Sequence, residues 1–167
     1  SPAGLNVRNP ASPETPITVR MIMTHTSSIT DTLMTWDPTW YTHGDSPIPM
    51  GEYVAGYFTP GSPHSGGAEA YLPTEPGTSS CYSNIAVGLL AYMVEIVSGE
   101  RFDDYCNAHI FEPLGMTQTS WRIDAYCDDG DLARGVQWDG NAFVPYDNGN
   151  FGQPEGHPEI ASGMLRT

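Results

Sequence analysis

The chain has 167 residues, one domain's worth of protein, and its 39% hydrophobic content excludes disorder throughout. Twenty acidic residues against six basic ones leave a formal charge of −14, and all six cations are arginine, which makes nucleic acid and anionic membrane surfaces poor partners. With no lysine present, Schiff-base, lysine general-base and lysine phosphate-clamp chemistry are excluded from these residues.

The first sixteen residues hold four prolines and read as an extended entry segment, without the apolar stretch of a signal peptide. No window reaches the length of apolar residues that spans a membrane, so membrane insertion is not expected. From Thr18 to His25, Val19, Ile22 and Met23 share one face of a short helix capped by Thr18, which should stop near Thr26-Ser27-Ser28. Asp31 to Pro49, with Trp36, Trp40 and Tyr41, fits no period and reads as a surface loop. Gly51 to Phe58 can form two helical turns. Thr59 to Pro76, rich in Gly, Pro, Ser and His, reads as a second long loop of the kind kept for function or disorder.

The strongest helix follows: Ser83 or Asn84 can cap it, Ala86, Leu90, Met93, Val94 and Val97 trace an apolar face, and Gly99 closes it. Such breadth predicts a central, buried helix. Arg101 to Glu112 places Phe102, Tyr105, Cys106, His109 and Ile110 on one face, with Asp103 and Asp104 suited to the N-terminal dipole and His109 and Cys106 read as core rather than as ligands. Pro113 ends that helix. Leu132 to Tyr146 suggests a hairpin around Asp139-Gly140 or an extended excursion, and the tail is glycine-rich. The chain thus divides into an entry segment (1–16), a helical core with two long loops (17–116) and an extended, hairpin-bearing return (117–167).

Cys81, Cys106 and Cys127 are odd in number and form no metal or redox motif, although a Cys106–Cys127 bridge is open. The five histidines carry no metal-ligand spacing, so neither a metal nor another cofactor is expected. The informative segment is PGTSSCYSN, Pro76 to Asn84. Its Tyr82-x-Asn84 places a phenol and a carboxamide at a helix N-terminus, whose dipole would favour phenolate and so a general base.

Taken together, ITVRMIMTHTSSI (17–29), PGTSSCYSN with the helix after it, and RFDDYCNAHIFEPLGM (101–116) resemble the serine β-lactamase-related family of class C β-lactamases, D-alanyl-D-alanine carboxypeptidases and esterases. The resemblance continues through LARGV (132–136) to ASGMLRT (161–167). It implies a mainly α structure with long loops and a short β excursion, the helical subdomain of the β-lactamase/transpeptidase-like α/β fold, lacking the antiparallel sheet half. The family's Ser-x-x-Lys and its Lys-Thr-Gly or His-x-Gly strand are absent from this sequence, so the chain reads as a fragment or excised domain, inert by itself.

The resemblance makes Tyr82 the catalytic tyrosine, working with a lysine on the missing nucleophile-bearing half, and Asn84 the residue that contacts substrate or orients that lysine. Ser83, His25 and Thr26 come out as structural neighbours of the site. Ser28 stands where the family usually has glycine, so a different backbone angle is expected there. The implied partners are a small-molecule or peptide substrate and the missing half. Two other readings are a non-catalytic helical binding module derived from the family and, ranked last, a metal-dependent hydrolase using His43, His64 and His157. The family is often exported, which ranks the periplasm or exterior ahead, whereas the odd cysteine count weighs against a disulfide-built secreted design.

Overall fold

A computed structural model describes residues 4–31, 42–43, 48–122, 136–145 and 155–156. The loop aromatics Trp36, Trp40 and Tyr41, and also Cys127, LARG (132–135), His157 and the ASGMLRT tail, lie outside the described residues. The described part is mainly helical: α1 (Val19–Met23), α2 (Met50–Tyr57), α3 (Asn84–Ser98) and α4 (Phe102–Cys106), with one 3-10 turn at Gly67–Ala70. Two short antiparallel ladders complete it, β1 (Thr42–His43) with β4 (Glu155–Gly156) and β2 (Val136–Trp138) with β3 (Phe143–Pro145). The second is the hairpin expected at Asp139-Gly140. Asp139 Oδ1 accepts from the amides of Asn141 and Ala142, and Gly140 turns the chain at φ 105°.

Thr18 caps α1 by accepting from the Met21 amide, as its sequence position predicts. The predicted apolar face is corrected, because only Ile22 enters the core while Val19 and Met23 stay exposed. In α2 the spacing i, i+3, i+4, i+7 buries Met50, Tyr53, Val54 and Tyr57 together. Burial raises the Tyr53 and Tyr57 hydroxyls well above the usual phenol range. Tyr57 answers its own burial by donating to the Thr30 carbonyl.

Ser83, not Asn84, caps α3 by accepting from the Ala86 amide at 3.1 Å, and Gly99 closes the helix in the left-handed region with its amide on Glu95. The buried face is Ile85, Ala86, Gly88, Leu89 and Ala91, not the stripe from Ala86 to Val97; Leu90, Met93 and Val94 are half-buried and Val97 is 85% exposed. Apolar residues run almost all round α3, so periodicity does not single out a face and the packing of α1, α2 and α4 does.

The long helix expected over Arg101–Glu112 is α-helical only to Cys106. From Asn107 to Phe111 the chain widens into a π-helical turn, with Glu112 N bonded to Asn107 O and Met116 N to Phe111 O. Across the wider turn Phe111 is buried, as Cys106 is, while His109 and Ile110 stay outside, where His109 meets Glu100 at 3.2 Å. His109 is therefore not a core residue. Cys106 is a buried free thiol, pushed up by burial, and the Cys106–Cys127 bridge lies outside the described residues.

The entry segment also departs from a plain extended lead-in. Asn9 is 1% exposed; its Nδ2 reaches Ser28 Oγ and the Leu72 and Thr74 carbonyls, and two turns follow to Thr15. An apolar groove of about 270 Å³ lies between this segment and α1 on one side and Leu89, Tyr92, Met93 and Ile96 of α3 on the other. Among the described residues no helix is long and apolar enough to cross a membrane.

Candidate active site

The site begins with two strands of irregular chain laid antiparallel. His25 to Thr30 runs against Ala70 to Cys81 through backbone bonds: Thr30 N to Ala70 O, Leu72 N to Ser28 O, Gly77 N to Thr26 O and Cys81 N to His25 O, at 2.7–3.0 Å. The second long loop is thus a packed clamp on the segment after α1, with Thr30 Oγ1 also bonded to Glu69 O. Two residues in this segment, His25 at φ 54° and Ser28 at φ 64°, occupy the left-handed region. Ser28 therefore holds an angle that glycine adopts without steric cost.

These bonds end at Cys81 and deliver Tyr82 to the start of α3. The His25 ring lies 4.6 Å from the Tyr82 ring, and its Nδ1 accepts from the Ser83 amide at 3.4 Å. Ser83 is buried and its hydroxyl is committed to the helix cap. Tyr82 is 64% exposed and donates its hydroxyl to Asn84 Oδ1 at 3.1 Å. Thr26 stands one step back, its side chain against Thr24 and the Met21 carbonyl and its own carbonyl on Gly77.

Sequence reasoning missed Asp31 here. Its Oδ2 accepts from both the backbone amide and the Nδ2 of Asn84, each at 2.9 Å. A carboxylate thus meets the positive end of α3, the place that the sequence reading reserved for the phenol. Asp31 and Asn84 are separated by 53 positions, and no local pattern pairs them. The attraction of carboxylates to helix N-termini is the only signal that bears on it, and it does not say which carboxylate.

Of the three histidines considered for a metal, His64 packs against Tyr53 at a ring distance of 5.4 Å, only the backbone of His43 is described, and His157 lies outside the described residues. Among the described residues no group of three His, Cys, Asp or Glu side chains gathers where it could hold a metal ion.

A partly buried segment thus runs beside an exposed Tyr-x-Asn at the head of α3, the longest helix among the described residues. The chain belongs to the beta-lactamase family, whose model matches residues 3–162. It is 28% identical over 116 residues to penicillin-binding protein 4* of Bacillus subtilis, a match covering 66% of this chain and 22% of that protein. Among solved structures, the octameric penicillin-binding protein homologue from Pyrococcus abyssi matches with a TM-score of 0.50 and 25% identity over 78% of this chain and 28% of that one. The D-amino acid amidase from Ochrobactrum anthropi SV3, complexed with L-phenylalanine, shares the fold at a TM-score of 0.57 and 18% identity, over 95% of this chain and 40% of that one. The chain spans well under half the length of each.

Proposed function

We propose that the full-length protein is a serine hydrolase that cleaves an amide, β-lactam or ester bond through an acyl-enzyme, with this chain supplying Tyr82 and Asn84. The observation that carries the reading is the 3.1 Å bond between these two side chains at the head of α3, in a chain matched to the family over residues 3–162. The penicillin-binding protein relatives support the amide and lactam classes.

In this reading Tyr82 takes part in moving the nucleophile's proton on acylation and then activates the deacylating water, while Asn84 holds the substrate amide or a neighbouring lysine. The nucleophile comes from outside the 167 residues. They contain no lysine and therefore no Ser-x-x-Lys, so the chain alone is inactive. It corresponds in this reading to the helical subdomain without the sheet half.

In the full-length protein Tyr82→Phe is expected to lower turnover by roughly 10²–10⁴-fold with an unchanged melting midpoint. Near-normal turnover would remove Tyr82 from the mechanism. Labelling with a fluorescent penicillin or fluorophosphonate should mark the full-length protein and not the isolated chain. A full-length protein that reacts with neither reagent and hydrolyses no amide, lactam or ester supports the non-catalytic binding module instead.

A further inference from the structure

We infer that Asp31 is a positioning residue that locks the Asn84 carboxamide with its oxygen toward Tyr82; its effect on turnover rests on the hydrolase reading above. A carboxamide is nearly symmetric in shape, and only its hydrogen-bond partners decide which end faces which way. Asp31 Oδ2 takes both the Asn84 backbone amide and Nδ2 at 2.9 Å. In the flipped amide Oδ1 would face that carboxylate oxygen, acceptor against acceptor, and Nδ2 would face the Tyr82 hydroxyl. The observed orientation instead gives Tyr82 an acceptor at 3.1 Å, so its proton points along the surface to Asn84. The phenol's remaining lone-pair side then faces outward, where it can accept a hydrogen bond.

The anchor is itself held. The residue before Asp31 is fixed by Thr30 N on Ala70 O, by Thr30 Oγ1 on Glu69 O and by the buried Tyr57 hydroxyl on Thr30 O, and Ile29 bridges to Tyr71. The carboxylate is thus carried by the clamped segment rather than by the helix that it orients. Displacement of α3 against that segment would break both bonds at once. The acceptor role needs an oxygen at this place and not its charge, which separates positioning from electrostatics.

The test uses two variants of the full-length protein. Asp31→Ala leaves the amide free to flip and is expected to lower kcat by roughly 10²-fold with KM little changed, the scale of a misplaced reacting group. Asp31→Asn keeps an oxygen able to accept the same two bonds and is expected to recover most of that loss. The side-chain amide resonances of Asn84 supply a readout independent of turnover: they should shift in Asp31→Ala and stay near the parent position in Asp31→Asn. Unshifted Asn84 amide resonances in Asp31→Ala overturn the proposal whatever the activity, as do equal kcat losses in the two variants or a change confined to KM. If the parent protein hydrolyses nothing while the resonances respond as expected, the hydrolase reading fails and the lock on Asn84 stands.

Discussion

Ser28 shows what a single residue contributes. At φ 64° it holds a conformation that costs an L-residue about 1–2 kcal/mol, and its hydroxyl accepts one of three bonds offered by Asn9 Nδ2. That nitrogen has only two hydrogens, so deleting the hydroxyl strands no donor. Ser28→Gly is therefore expected to leave stability equal to the parent or higher by up to about 1 kcal/mol, the relief of strain outweighing the added chain entropy. Ser28→Ala keeps the strained angle and strands no donor, so it should stay near the parent and below the glycine variant. Urea unfolding of both variants decides it, and an alanine variant as stable as the glycine one would show that the angle carries no cost. Asn9 was invisible in a proline-rich lead-in because its partners lie as far off as Thr74, and Asp31 for the same reason. The pairing of Tyr82 with Asn84 was legible because they share a motif three residues long and abut a helix cap.

At the scale of elements, α2 and α3 meet through two glycines with opposite tolerance. A Cβ on Gly51 would come within 2.6 Å of the Tyr92 ring, whereas one on Gly88 would sit at 3.6 Å from Val54, an ordinary contact. Gly51→Ala is expected to lower stability by about 1–3 kcal/mol through overpacking. Gly88→Ala should raise it by up to about 1 kcal/mol, since alanine is the better helix former. Melting midpoints that move the same way in both would mean that helix propensity, not the α2–α3 contact, sets the response. Helix existence and caps at Thr18, Ser83 and Gly99 follow from local chemistry, so they were readable. The face of α3 was not, because nearly every side of it is apolar. The π turn after Cys106 was not either, because the apolar spacing through Arg101–Glu112 fits an uninterrupted α-helix.

For the whole molecule the governing quantity is charge. Of the four described arginines, two stand at the start of α4, where Arg101 is paired with Asp103 at 2.9 Å and lies 3.8 Å from Asp104, and Arg122 reaches Asp103 at 3.9 Å. With twenty acidic residues in all, most of the surface repels itself. The melting midpoint of the 167-residue chain is therefore expected to rise by a few degrees as NaCl goes from about 0.01 to 0.5 M, because the screening length shrinks from roughly 30 Å to under 8 Å. A flat or falling midpoint would mean that attractive pairs dominate.

What the amino-acid sequence determined by itself was whatever depends on near neighbours or on composition: the acidic surface, the absence of lysine chemistry, the helix caps, the Asp139-Gly140 hairpin and the Tyr82-x-Asn84 motif with its family blocks. Only the tertiary structure decided the buried face of α3, the use of the second long loop as a clamp, and the carboxylate that orients Asn84. The physical reason is the same in each case. A cap or a turn is chosen by hydrogen bonds within a few residues, whereas a buried face or an amide's orientation is chosen by whichever distant group packing brings to it.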